Sequence, residues 1–263
     1  MGDDNRVLSL EYPAMPLSIR LLLVLLLAAT KPARAENADA LWHLLHERCV
    51  PGFLASGNPA PCAEVDLPAG APGGWVLLKD RDGATQYLLM PTQKISGIED
   101  PTVLAPDEPN FFAAAWDARK FFLATIGHDL PRGAISLAIN SPYGRTQNQL
   151  HIHIDCIRTD VMTTLAARLA DFGDGFTPVT LAGHAYRARR LDGTDLSDNP
   201  FKLLADDPTV GAAGLGRHTL VVVAEKFPDG RDGFLLLDNQ VDLLSGDRAS
   251  GEELQDHACA IAK

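Results

Sequence analysis

Residues 150–156 read Leu-His-Ile-His-Ile-Asp-Cys, an unbroken alternation of apolar and polar side chains. A period of two is the mark of a strand, whose side chains point to opposite faces in turn. His151, His153 and Asp155 therefore share one face, and Leu150, Ile152, Ile154 and Cys156 share the other. The apolar face demands a packed core. The polar face demands partners, because burying ionisable groups unpaired costs several kcal/mol. Such a strand belongs in a sheet with one side packed and the other given to chemistry.

The loop that feeds this strand, 141–149, is built from turn formers such as Ser141, Pro142, Gly144 and Asn148. It carries Arg145, Gln147 and Asn148, whose side chains and neighbouring amides can donate to an anion. Donors beside a row of imidazoles point to phosphate chemistry. A formal net charge of −11 denies the chain the basic face that nucleic-acid binding needs. An anionic substrate must then be held by a local cluster, not drawn in by the field of the whole molecule.

The first 35 residues stand apart. Residues 21–30 are an apolar run, with Arg20 before it and Ala33-Arg34-Ala35 after it, the layout of an export leader with a small-residue cleavage site. Met15 offers a second start, which would make Arg20 the end of a compact basic segment. A cleaved signal peptide and a short membrane anchor both fit, although a span needs about 20 apolar residues. Either one exports the rest of the chain. In an oxidising compartment the four cysteines are expected to pair, and three pairings are open. Cys49 and Cys62 enclose a short loop rich in proline and glycine, which favours a local bridge. Cys156 and Cys259 would then tie the C-terminus to the central strand.

Along the remainder, 38–48 reads as a helix with Leu41, Leu44 and Leu45 on its apolar stripe, followed by a Pro/Gly-rich loop to Gly74. A hairpin joins 75–78 to 86–90 across Asp80-Arg81-Asp82-Gly83 and ends at Pro91. The principal helix covers 110–126, burying Phe111, Phe112, Ala115, Phe122 and Leu123, with Gly127 as its cap. Strands are expected at 134–140 and 149–157, a helix at 160–172 capped by Asp160, and strands at 179–185, 219–226 and 233–237. Arg187, Arg189 and Arg190 read as a solvated basic edge. Two hairpins around a helix make an α+β fold: an antiparallel sheet with a principal helix over 36–158, and an α+β extension over 159–263.

The run Gln147-Asn148-Gln149-Leu150-His151-Ile152-His153-Ile154-Asp155 resembles the signature of the histidine-triad superfamily of nucleotide hydrolases and transferases. Asn140, eleven positions before His151, matches an asparagine of that superfamily in spacing. The 75–91 hairpin with Ile95-Ser96 resembles the one that opens the same HIT-like fold. With Arg48-Cys49, Pro59-Ala60-Pro61-Cys62, Asn110-Phe111-Phe112 and Leu137-Ala138-Ile139-Asn140, the chain from about residue 40 onward resembles the bacterial CDP-diacylglycerol pyrophosphatase family, a membrane-associated branch.

The resemblance implies hydrolysis of CDP-diacylglycerol to CMP and phosphatidate at the periplasmic face of the inner membrane, without metal or other cofactor. It assigns His153 as the nucleophile, with its second ring nitrogen held by the backbone carbonyl of His151. His151 would orient or donate to phosphate oxygens, Asn148, Gln147, Arg145 and loop amides would meet the phosphates, and Asn140 would support the histidine row. Lys94 lies on a loop that the resemblance sets near the nucleotide; by itself it reads as a surface lysine. Asp155 departs from the pattern, which has histidine or glutamine there, and is expected either to bond His151 from behind or to lie outside the phosphate site. Two other readings stay open. His151, His153 and Asp155 also form a zinc-ligand set suited to a zinc-dependent phosphoester hydrolase, and a non-catalytic exported nucleotide- or lipid-binding module would keep the same pocket.

Overall fold

The computed structural model describes residues 37–68 and 73–263; the leader expected at 1–35 lies outside them. The chain is α+β, built on one nine-stranded antiparallel sheet in the order β1-β2-β3-β5-β4-β8-β9-β7-β6. The strands are β1 Glu64–Asp66, β2 Trp75–Lys79, β3 Tyr87–Pro91, β4 Ile135–Ile139, β5 Ile152–Cys156, β6 Thr177–Leu181, β7 His184–Asp192, β8 His218–Lys226 and β9 Asp232–Gln240. The sheet runs without a break across residue 158, because β4 pairs with β8 from Ser136↔Val223 to Ile139↔Leu220.

One face is covered by the helix Phe111–Ile126. Its start is fixed by Asn110, whose side-chain oxygen accepts from the Ala113 N–H at 3.2 Å. Its end is fixed by Gly127 at φ 86°, a left-handed position that a residue without Cβ takes freely. Phe111, Phe112, Ala115, Trp116 and Phe122 are buried in one cluster with Leu77, Leu89, Leu137, Ile152, Ile154, Val222 and Leu236. Full burial of each large apolar side chain contributes about 1.5–3 kcal/mol.

The opposite face is covered in three pieces. Cross-strand partners share a face, so Leu88, His153, Ala138 and Val221 stand in line across four strands. At one end Leu45 and Cys49 pack with Val76 and Met90. At the other, Val161 and Leu165 of the helix Thr159–Ala166 pack with Val221, Val223, Leu235 and Leu237. Between these clusters, residues 249–259 lie across the polar row of β5. Gly251 allows the close approach, since a Cβ there would stand 2.7 Å from Val221 Cγ2 and 2.8 Å from Thr219 Oγ1. Gln255 Nε2 donates to Ser136 Oγ at 3.0 Å and to the His153 carbonyl at 3.3 Å. The Asp256 N–H donates to the Cys156 carbonyl at 2.8 Å. Cys156 belongs to the helix side of the sheet and is bonded to Cys259, so the chain winds around the end of β5. Cys49–Cys62 forms as well, and both favoured pairings are present.

Three local expectations are corrected. The first helix does not stop at 48: Ala40–Leu44 widens into a π-helical turn, Leu45–Cys49, and continues as Val50–Ser56 up to Gly57 at φ 73°. Pro51 falls in the first turn of that last piece, where its missing N–H is no loss. The helix expected at 160–172 is Thr159–Ala166 followed by a 3₁₀ turn, Leu169–Asp171, and Asp160 is not its cap but takes the Arg158 guanidinium at 2.8 Å. The strand expected at 179–185 breaks at Ala182 and Gly183, which take φ 51° and 88°, giving the β6–β7 hairpin. Arg187 and Arg190 thus stand on an interior strand and are paired, Arg187 with Asp207 and Asp238, Arg190 with Asp192 and Asp229. Among the described residues no helix is long and apolar enough to cross a membrane.

Candidate active site

The two histidines of the row meet edge to face, with ring centroids 4.8 Å apart. His151 Nδ1 lies 2.6 Å from the Gln149 carbonyl, which can only accept, so this nitrogen carries the hydrogen. Its Nε2 is then a bare acceptor. The phosphate-donor role expected of His151 would require a second proton, which burial opposes: burial comes first in lowering its pKa, against the pull of the Gln149 carbonyl and Glu252. His153 is held well below the usual imidazole range, by burial first and then by the neighbouring His151 and His257. Its Nδ1 lies 3.1 Å from Glu252 Oε1 and 2.7 Å from Gln86 Nε2, while its Nε2 is buried with no hydrogen-bond partner. The amide would donate to a bare Nδ1, whereas the carboxylate would accept from a protonated one. Gln86 is the hydrogen-bond partner of Nδ1, and Glu252 stands beside it at ion-pair distance without hydrogen-bond geometry, its negative charge favouring a hydrogen on that nitrogen. The His151 carbonyl expected in that place is replaced by the Gln86 amide, with the Glu252 carboxylate next to it.

Glu252 arrives on the 3₁₀ turn Gly251–Leu254. Asn140, at the end of β4, donates through Nδ2 to its carboxylate, and Asn140 Oδ1 accepts from Ser250 Oγ at 3.1 Å and from the Glu252 N–H at 3.3 Å. Asp155 is fully buried and accepts from Thr85 Oγ1 at 2.9 Å, the Cys156 N–H at 2.9 Å and His257 Nδ1 at 2.8 Å. It makes no bond to His151, because four positions along a strand span about 13 Å. The first of the two places expected for Asp155 is thereby excluded, which leaves the second, outside the phosphate site. His257 keeps 41% of its side chain exposed, and its Nε2 lies 3.9 Å from the same Glu252 Oε1 that meets His153. The Asp155 hydrogen bond, followed by the charges of Asp155, Glu252 and Asp80, raises its pKa against partial burial.

The loop donors are mostly engaged elsewhere. Arg145 forks onto Glu99 with bonds of 2.7 and 2.6 Å, yet its buried Nε has no partner and its charge opposes protonation of His151. Gln147 accepts from the Leu41 N–H at 3.1 Å and donates to the Asn37 carbonyl at 3.0 Å, bracing the first helix. Asn148 donates its backbone N–H to the Ala38 carbonyl at 2.6 Å and leaves its side chain exposed. Lys94 pairs with Asp39 at 3.0 Å and lies 5.8 Å from the Trp42 ring centre. Asp155 is turned toward Thr85 and His257, and among the described residues no group of three or more His, Cys, Asp or Glu is arranged to hold a metal ion.

Glu252, His257, Gln86 and Thr85 were not singled out by sequence reasoning. One signal pointed to the first two: the expected Cys156–Cys259 pair brings their segment to the strand.

The family model for CDP-diacylglycerol pyrophosphatase matches residues 36–263. The chain belongs to that family. A CDP-diacylglycerol pyrophosphatase of Yersinia pestis is 45% identical over 256 residues, 96% of this chain and 96% of the relative. Membership in the CDP-diacylglycerol pyrophosphatase family makes the chain an enzyme and directs the search for its reacting groups to the one row of β5 where two neutral imidazoles lie together.

Proposed function

We propose that the chain hydrolyses the pyrophosphate bond of CDP-diacylglycerol to CMP and phosphatidate through a CMP–His153 phosphoramidate. The observation that carries this reading is His153 Nε2, a buried, unpartnered nitrogen on an imidazole held neutral. Neutral imidazole attacks phosphorus readily, and a buried polar atom left without a partner is costly unless a ligand meets it. With the hydrogen on Nδ1, beside the Glu252 carboxylate at 3.1 Å, the lone pair sits on Nε2. Nε2 bonds to the cytidylyl phosphorus and the bond from that phosphorus to the bridging oxygen breaks. The oxygen leaves with the electron pair as phosphatidate, a phosphate monoester whose second pKa of about 6 requires no strong acid. As the ring becomes cationic, Glu252 balances its charge. Water then attacks the same phosphorus, the P–N bond breaks, the ring recovers its lone pair, and the proton of the water passes to solvent as CMP departs. Arg145, with its free Nε, is the group we assign to the phosphate oxygens. The two disulfides support an exported chain, and the reaction then takes place at the periplasmic surface of the inner membrane.

The test is intact-protein mass spectrometry after rapid quenching without acid, with CDP-diacylglycerol in detergent and EDTA. Wild type is expected to gain the mass of a CMP group and His153→Ala to gain none. Product formed only on restoring zinc, with no adduct, would transfer the reading to metal-assisted attack by water. A folded protein that binds substrate but yields neither adduct nor product would be a binding module.

A further inference from the structure

The nucleophile assignment leaves a histidine and a carboxylate unused. Asp155 is fully buried, and its oxygens take three donors: Thr85 Oγ1, the Cys156 N–H and His257 Nδ1. With its Nδ1 committed to Asp155, His257 turns Nε2 to within 3.9 Å of Glu252 Oε1, the oxygen 3.1 Å from His153 Nδ1. Its backbone is fixed from both sides. The His257 carbonyl accepts from the Ala84 N–H at 3.0 Å, and the preceding residue donates to the Cys156 carbonyl at 2.8 Å. Cys259, two residues on, is bonded to Cys156. The imidazole itself remains 41% exposed, so a proton can enter and leave.

We propose that His257 is a positioning residue for the reaction: set on Asp155, it is the cation that holds the Glu252 carboxylate against His153, so the orienting chain runs Asp155, His257, Glu252, His153. This rests on His153 being the nucleophile. Glu252 is part-exposed, carries a negative charge toward a pyrophosphate substrate, and would be repelled by it if nothing balanced it. The charged groups that face His257 are Asp155 from β5, Glu252 from the C-terminal turn and Asp80 from the β2–β3 hairpin, all acidic. His151 and His153, on the same face, are neutral. These charges favour the protonated form of His257, which gives up its proton at a higher pH than an ordinary imidazole. Loss of that charge leaves Glu252 to its hydrogen bonds with Asn140, without the pull of His257, and turnover falls.

The alternative is that the Asp155–His257 contact merely pins the C-terminal segment. His257→Asn separates the two, because its amide can still donate to Asp155 but does not titrate. The experiment measures kcat, KM and melting temperature between pH 5 and 10 for wild type, His257→Asn and His257→Lys, with adduct mass spectrometry alongside. The expected result is a kcat lower by about tenfold or more in His257→Asn with the alkaline limb abolished, KM within about twofold, and in His257→Lys a limb moved toward the lysine range of about 10. An unchanged alkaline limb in His257→Asn, or losses that track melting temperature alone in both variants, overturns the role of His257. If wild type forms the adduct, the His153 reading survives that outcome; absence of the adduct in wild type overturns both.

Discussion

Asn140 grips Glu252 by both ends: its amide nitrogen donates to the Glu252 carboxylate while its carbonyl oxygen accepts from the Glu252 backbone N–H at 3.3 Å. A residue at the end of β4 thereby sets the angle of a side chain 112 positions later. Asn140→Ala is expected to lower kcat by about 10- to 100-fold, the equivalent of one hydrogen bond to a charged group, with KM little changed. Steady-state kinetics decide between roles. A raised KM with kcat intact would mean that Asn140 touches substrate instead.

Gly251 tests the same assembly without touching any ionisable group. A methyl there would press on Val221, Thr219 and Ala138, the last 3.2 Å away, and all three belong to the sheet. The turn would have to lift, taking Glu252 with it. Gly251→Ala is expected to lose at least about tenfold in kcat, since a displacement of about 1 Å at a positioning group can cost about 10²-fold. Overpacking should also cost about 1–3 kcal/mol of stability, read by urea unfolding. Full activity in a destabilised protein would show that Glu252 does not orient His153.

Glu225 gives a prediction about stability alone. It is buried on β8 beside Gly133, its Oε1 has no partner, and burial raises its pKa to about 7. The folded value lies above the unfolded one of about 4.3. The protonated form therefore contributes stability at low pH, and that contribution is lost as pH rises from about 4.3 to about 7. Glu225→Gln removes the loss. The variant should gain about 2–3 kcal/mol over wild type at pH 8 and much less at pH 5, by urea unfolding at both. An equal difference at the two pH values would show that the carboxyl does not titrate in this range.

The sheet was legible where a single residue type forces a conformation. Asn110 and Gly127 bracket the long helix, Asp82-Gly83 marks a hairpin, and the 150–156 alternation assigns both faces of β5. It failed where the decisive partner lay far away in sequence. Ala182 takes a positive φ that nothing in its side chain announces, and the first helix crosses Pro51 because a π-helical turn places the proline where its N–H is not needed. The site divides in the same way. His151, His153 and Asp155 are neighbours on one strand and could be read together. Glu252 and His257 reach them by a chain path, and the donors Gln147 and Lys94 are taken by a helix whose approach no local pattern encodes.

The winding of residues 249–259 around β5 sets a clock on the enzyme. On the proposed mechanism the nucleophile is made long before the residues that orient it, since His257 follows Asp155 by 102 positions. All nine strands precede the 249–259 segment in sequence. On that mechanism, activity therefore waits until residues 249–259 have crossed the end of β5.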